Sequence, residues 1–272
     1  MSDKYALIGN PVAHSFSPLI HAEFARQTGH DIEYTRLLAP LDGFAAAVEQ
    51  FRAQGGKGLN VTLPFKLDAY RLATEKSARA EQAQAVNTLK FEAGTVFGDN
   101  TDGAGLVRDI EVNLGFPIVA MRVLLMGAGG AARGALPALL EKKPVTVVIA
   151  NRTVAKAREL ARRFFHLGCS ACGYDELANR QFDLIVNATS ASIAGELPPL
   201  PPHLFAPRSL AYDMMYGKQP TPFLKFARQQ GARTADGSGM LVEQAAESFF
   251  VWRGVRPDTA PVIARLRAGE FL

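Results

Sequence analysis

The sequence predicts an α/β protein of two domains, and three observations carry that reading. Strand-like and helix-like segments alternate through the first hundred of the 272 residues. A continuous apolar run, Arg122-Val123-Leu124-Leu125-Met126, then feeds the glycine-rich turn Gly127-Ala128-Gly129-Gly130-Ala131-Ala132 and a helical segment. Such a run marks a strand buried on both faces, as in a parallel sheet. Between the two stretches, Gly98-Asp99-Asn100-Thr101-Asp102-Gly103 marks a junction.

In the first domain, Tyr5 to Ile8 reads as a strand ended by Gly9-Asn10-Pro11. Ser17 suits the N-cap of the next helix, with Pro18 at its first position and Gly29 closing it. Asp31 to Leu38 is a second strand, and Leu41 to Gln54 is a helix closed by Gly55-Gly56. Leu59 to Leu63 is a third strand, stopped at Pro64, which has no N–H to donate. Ala69 to Gln82 reads as one polar helix, and Val86 to Phe97 as a hairpin turning at Glu92-Ala93-Gly94.

The second domain starts from a linking helix, Ala104 to Leu114. After the strand at 122–126 come a helix from Arg133 to Leu140, a buried strand from Val145 to Ala150 and a helix from Ala155 to Phe165. A weaker strand, the strand Leu184-Ile185-Val186, a Pro-rich loop from Leu197 to Pro202 and the strand Leu210-Ala211-Tyr212 follow. The alternation is that of a doubly wound, dinucleotide-binding fold. A helix from Val242 to Trp252 and a last amphipathic helix ending near Leu272 come after it.

Composition narrows the function classes. Hydrophobic residues make up 48% and charged residues 21%, ordinary values for a globular enzyme. The net charge of +4 comes from scattered basic residues, so the pattern gives no nucleic-acid footprint, while it suits an anionic substrate or a phosphorylated cofactor. No apolar run is long enough to cross a bilayer, and the N-terminus lacks the apolar core of a secretion signal. A cytoplasmic protein is expected, in which the three Asn-x-Thr matches at Asn60, Asn151 and Asn187 meet no glycosylating machinery. Cys169 and Cys172 have C-x-x-C spacing, but with no second pair they read as two inert, partly buried thiols, and no metal site is expected.

The residues that could carry chemistry fall in a few places. Asn60 and Thr62 alternate with apolar neighbours and so should share one face of their strand, with Lys66 just past its end. Two polar groups and a cation form a wall suited to a polyol with an acid/base attached, although a solvated lysine beside an edge strand gives the same pattern. Asp102 is placed to pair with such a lysine, and equally to cap the helix that follows. His14-Ser15-Phe16-Ser17 offers two hydroxyls, with His14 also readable as a hydrogen-bonded structural imidazole. Asn87, Tyr216 and Gln244 are further polar candidates. The glycine turn lets a backbone approach a pyrophosphate at a helix N-terminus. At the end of the next strand, Asn151-Arg152-Thr153 offers a guanidinium where NAD-binding domains usually place an acid, which favours the 2′-phosphate of NADP.

Taken together and in order, these motifs resemble the shikimate dehydrogenase family. The match runs from Gly9-Asn10-Pro11-Val12-Ala13-His14-Ser15-Phe16-Ser17-Pro18 through Asn60 to Lys66, Ala85-Val86-Asn87-Thr88 and Asp99 to Gly103. It continues through the glycine turn, Asn151-Arg152-Thr153, Asn187-Ala188-Thr189-Ser190, Tyr212-Asp213-Met214 and Gly237 to Ala246. The resemblance implies a substrate domain at 1–102 completed by 240–272, and a Rossmann-like NADP domain at 103–239, with a cleft between them. It implies shikimate and 3-dehydroshikimate as substrates, held by Ser15, Ser17, Thr62, Asn87, Asp102 and Gln244 with Asn60, Lys66 and Tyr216 beside them. Lys66 would be the acid/base, partnered by Asp102. Gly127, Ala128, Gly129, Gly130 and Ala131 would take the pyrophosphate, and Asn151, Arg152 and Thr153 the adenosine phosphate end. Thr189, Met214, Gly237 and Met240 would border the rest of the cofactor, with Met214 and Gly237 flanking the nicotinamide. A monomer or homodimer is expected. A quinate-accepting enzyme and a non-catalytic sensor of the same fold are the alternative readings. Four departures stand out: Ala22 for a frequent Asn, Gln84 and Ser192 for common glycines, and Ser238 for a common Leu.

Overall fold

In the computed structural model, which describes residues 2–192 and 194–270, strand β1 (Asp3–Gly9) lies between β2 (Ile32–Leu38) and β3 (Gly56–Val61) and runs parallel to both. The predicted hairpin forms as β5 (Thr88–Glu92) and β6 (Thr95–Asp99), with β5 antiparallel to β3. A two-residue strand, β4 (Glu75–Lys76), completes the sheet order β2-β1-β3-β5-β6-β4.

That short strand breaks what the sequence presented as one polar helix. The segment is α3 (Lys66–Leu72) and α4 (Ala78–Ala83), with β4 between them. The Thr74 amide donates to Val96 O at 2.9 Å and the Ser77 amide to Gly98 O at 3.0 Å, so the chain leaves the helix to satisfy the edge of β6. Ser77 then restarts it as an N-cap, its hydroxyl accepting from the Ala80 amide. At the other end of α4, Gln84 sits at φ 49°, a left-handed position that glycine would adopt at less cost.

The first long helix also starts differently from expectation. Helix α1 (Ser17–Thr28) has Phe16, not Ser17, as its N-cap. The Ser17 amide donates to Ser15 Oγ at 3.2 Å, so the earlier serine supplies the oxygen that a capping Ser17 would have offered. Helix α2 (Phe44–Ala53) packs Phe44 and Val48 into a core with Ala6, Ile8, Leu59, Val61 and Phe65.

The second sheet is wholly parallel. Its strands are β7 (Arg122–Met126), β8 (Thr146–Ala150), β9 (Cys169–Cys172), β10 (Phe182–Asn187), β11 (Phe205–Asp213) and β12 (Arg233–Ala235), in the order β12-β11-β10-β7-β8-β9. Helix α5 (Asp102–Arg108), a π-turn at Asp109–Asn113, α6 (Gly130–Glu141), α7 (Val154–Arg162) and α8 (Pro222–Gln229) accompany it. Helices α9 (Ser238–Arg253) and α10 (Ala260–Arg267) follow; the predicted end near Leu272 lies outside the described residues. Neither α8 nor β12 was foreseen. On β7, Val123 and Leu125 enter one core, and Leu124 and Met126 the other, as expected of a strand covered on both faces.

Two compact units result: Met1–Gly105 with Leu241–Leu272, and Leu106–Met240. Within the first, Ile20 and Phe24 of α1 share a core with Val242, Ala245 and Phe249 of α9 and with Val262, Ile263 and Leu266 of α10. Cys169 and Cys172 lie in opposite cores of the second, both free. Burial pushes the Cys169 thiol up to about 12 and raises that of Cys172, so both behave as small apolar side chains.

Candidate active site

Lys66 opens α3, and its ammonium lies 2.5 Å from Asp102 Oδ2. The two side chains are 14% and 6% exposed, so bulk water and salt screen the pair only weakly. The backbone fixes both ends: Lys66 O accepts from the Val86 amide at 2.9 Å, and the Asp102 amide donates to Asn100 Oδ1 at 3.2 Å. Asp102 is the first residue of α5, but its carboxylate oxygens go to Lys66 and to Asn87 Nδ2, the latter at 2.9 Å, rather than to a cap.

Asn87 is the hub of this unit. Its Oδ1 accepts from the Thr101 amide at 2.8 Å and from Thr88 Oγ1 at 2.9 Å, which orients the amide. Its Nδ2 then faces Asp102 Oδ1, Thr101 Oγ1 at 2.8 Å and Gln244 Oε1 at 3.3 Å. Gln244 reaches this point because Gly105 of α5 carries no side chain. A Cβ there would stand 2.7 Å from the Gln244 amide nitrogen, so only glycine lets α9 approach so closely.

Asn60 is buried rather than presented. Its Oδ1 accepts from the Tyr34 hydroxyl at 2.8 Å, and its Nδ2 faces Ser248 Oγ at 2.9 Å, Thr88 Oγ1 at 3.2 Å and Asn87 O at 3.3 Å. Thr62 lies one residue beyond β3, half-buried, and its methyl group fills the space a Cβ on Gly9 would need. The expected wall of two equivalent polar groups is therefore one buried anchor, Asn60, and one accessible group, Thr62. Ser15 is half-buried and its hydroxyl donates to Ser17 Oγ at 3.0 Å, while Arg36 fixes the Ser15 carbonyl at 2.6 Å. His14 is exposed, not a buried structural imidazole.

Several contributors escaped the sequence reading. Thr101, Ser248 and Tyr34 all join the net around Asn60 and Asn87. Ser248 follows Gln244 by one helical turn, so a pair of neutral polar residues on one face of α9 was the available signal. His21 stacks on Tyr34 at 4.2 Å, fully buried, with neither ring nitrogen in a well-formed hydrogen bond. Burial lowers its pKa to about 3, with the nearby Asn60 side chain opposing that shift.

In the second unit the remaining candidates gather at the carboxyl ends of the parallel strands, where ligands of such sheets bind. Gly127 follows β7 at φ 108°, and a Cβ on it would stand 3.0 Å from Ala188 O. Gly129 is the N-cap of α6, with open space where a Cβ would be and no side chain capping the first turn. Gly130 and Ala131 begin that turn, and Ala128 is buried beneath it. A backbone bare of side chains at a helix N-terminus fits a pyrophosphate. Beyond β8, Asn151 Nδ2 donates to Thr153 O at 2.9 Å, and Arg152 is exposed, where its guanidinium can meet a phosphate. Thr189 donates its hydroxyl to Asn187 Oδ1 at 2.7 Å, after β10. Met214 and Gly237 touch: a Cβ on Gly237 would stand 2.2 Å from Met214 O. Tyr216 is half-buried in the loop after β11, in this unit rather than with the other polar candidates, and Met240 is buried in the core.

Comparison with known proteins places this arrangement. Residues 7–89 match the shikimate dehydrogenase substrate binding domain, residues 113–194 the shikimate / quinate 5-dehydrogenase family, and residues 237–267 the shikimate 5′-dehydrogenase C-terminal domain. The shikimate dehydrogenase (NADP(+)) of Nitrosospira multiformis is 63% identical over 98% of both chains. Among solved structures, the Ael1 enzyme of Pseudomonas putida is 53% identical with a TM-score of 0.91, covering 97% of this chain and 98% of its own. The shikimate 5-dehydrogenase of Thermus thermophilus, solved in complex with NADP(H) and shikimate, is 32% identical with a TM-score of 0.87, covering 99% and 100%. With a lysine–carboxylate pair in one unit, a glycine turn and an exposed arginine in the other, and such identity over nearly its whole length, the chain belongs to the shikimate dehydrogenase (NADP(+)) family.

Proposed function

We propose that this protein catalyses the reversible, NADP-dependent reduction of 3-dehydroshikimate to shikimate, with the first unit taking the substrate and the second the cofactor. The observation that carries the reading is the 2.5 Å contact between Lys66 and Asp102, held by Asn87 within reach of Gln244. Bound NADPH supplies the hydride. Lys66 donates a proton to the oxygen at C3 of the substrate in reduction and takes it back in oxidation. Asp102 fixes the ammonium and offers its other oxygen, with Asn87 and Gln244, to a neighbouring hydroxyl. Ser15, Ser17 and Thr62 provide further polar contacts, and Asn60 supports them from within the core.

The glycine turn from Gly127 to Ala131 would hold the pyrophosphate, and Asn151, Arg152 and Thr153 the 2′-phosphate end. Thr189, Met214 and Gly237 would border the nicotinamide. We place the enzyme in the cytoplasm as a monomer or homodimer; no helix among the described residues is long and apolar enough to cross a membrane.

The test is a spectrophotometric assay of reduced nicotinamide, with shikimate or quinate as substrate and NADP or NAD as acceptor. Turnover with shikimate and NADP well above every other combination is the expected result. Equal turnover of quinate would widen the substrate, and no turnover in any combination would overturn the enzymatic reading.

A further inference from the structure

Asp213 is fully buried at the end of β11, and donors from the end of β10 and the two loops that flank β11 converge on its carboxylate. Oδ2 accepts from Thr221 Oγ1 at 2.6 Å, Ser192 Oγ at 2.7 Å and Asn187 Nδ2 at 3.2 Å, and Oδ1 accepts from the Met215 amide at 3.0 Å. The two hydroxyls are committed in both directions. Ser192 Oγ also accepts from Asn187 Nδ2 at 3.0 Å, and Thr221 Oγ1 from the Leu224 amide at 3.3 Å. Each therefore spends its single proton on Asp213.

The same net reaches the segments that face the cofactor in the reading above. Asn187 takes the Thr189 amide and hydroxyl on its Oδ1, at 3.1 and 2.7 Å, and its carbonyl accepts from the Met214 amide at 3.0 Å. Thr189 and Met214 are thus each hydrogen-bonded to Asn187, which itself donates to Asp213. A buried carboxylate tolerates the loss of a donor poorly, so none of these loops can shift without leaving it underserved.

We propose that Asp213, with Ser192 and Thr221, is a positioning clamp that fixes the Thr189 and Met214 loops as the nicotinamide-side wall of the NADP site, and that the Ser192 hydroxyl tightens this wall. The clamp touches no ligand itself and acts through the loops it joins. It lowers the ordering those loops must undergo when the nicotinamide half of the cofactor binds. The proposal rests on the NADP reading.

The experiment titrates NADPH and the fragment 2′,5′-ADP, which lacks the nicotinamide half, into the wild type and the Ser192→Ala, Ser192→Thr and Thr221→Val variants, with melting curves of the free proteins alongside. The Ser192→Ala and Thr221→Val variants should bind NADPH about tenfold more weakly and 2′,5′-ADP within about twofold of wild type, and Ser192→Thr, which keeps the hydroxyl, should restore NADPH binding. Unchanged NADPH binding in Ser192→Ala overturns the clamp. So does an equal loss of both ligands with a lowered melting temperature, which marks a general loosening of the unit. Failure of the wild type to bind either ligand overturns the NADP reading itself.

Discussion

Asn87 and Asp102 are joined by a 2.9 Å hydrogen bond from Nδ2 to Oδ1, while the other oxygen of the same carboxylate holds Lys66. The lysine is therefore aimed by a relay that begins in β5 and its preceding residues, not by its own helix. Removing the lysine should abolish proton transfer and leave the relay standing. Lys66→Ala is expected to lower kcat about 10²- to 10⁴-fold with a smaller change in KM for shikimate. Steady-state rates across shikimate concentrations check this, and a kcat near wild type would remove Lys66 from its role.

Asp102→Asn should act on both parameters. The neutral amide no longer holds the ammonium as a carboxylate does, and it disturbs the acceptor offered to Asn87 and to substrate. A fall in kcat of about tenfold or more with a raised KM is expected. Melting curves separate this from a structural role, in which turnover per folded molecule would stay intact.

Arg152 is exposed beyond β8, where an acid would favour NAD. Arg152→Ala should weaken NADP by about tenfold to hundredfold and leave KM for NAD little changed, because only the 2′-phosphate loses a charged partner. Equal effects on both cofactors would move the phosphate contact elsewhere.

His21 gives the fold a pH dependence whose sign follows from burial. The folded ring stays neutral down to about pH 3, whereas an ordinary histidine takes a proton near 6.5. Between those values the unfolded chain binds more protons, so stability falls as the pH drops through that window. His21→Phe should remove this contribution, at most about 1.4 kcal/mol per pH unit. Urea midpoints measured above and within the window, in both proteins, would show a smaller acid loss in the variant.

Gln84 holds a left-handed backbone at the end of α4, where a side chain costs energy that glycine avoids. Gln84→Gly should stabilise the protein by about 1 kcal/mol, read from chemical denaturation. A destabilised variant would mean that the Gln84 side chain contributes more than its conformation costs.

What was legible in the sequence was whatever leaves a side-chain pattern. The run at 122–126 is apolar at every position from Val123 to Met126 because β7 is covered on both faces, and its strand bounds were readable to the residue. The glycine turn was readable in part because Gly127, at φ 108° and close to Ala188 O, answers a steric demand that few other residues meet. By contrast, β4 exists through backbone hydrogen bonds to β6, which no side chain at Glu75 or Lys76 announces. Strand β12 is three residues long, too short for any period to emerge. The pairing of the charged candidates Lys66 and Asp102 was legible, although a solvated lysine and a helix cap fitted the same pattern. Its neutral framework was not. Tyr34, Thr101 and Ser248 are ordinary residues individually, and they matter because distant segments bring them to Asn60 and Asn87.

The first unit is built from residues on either side of the second, and that has a consequence for how a ribosome delivers it. When residue 105 has emerged, α1 still carries Ile20 and Phe24 without the α9 and α10 side chains that cover them, and Asn60 lacks Ser248. Neither is supplied until the whole NADP unit has been synthesised. The second unit, continuous in the chain, can close first. The nascent first unit must therefore wait with an uncovered apolar face, and the polar net around Asn60 and Asn87 gains its full surroundings only at the last helices.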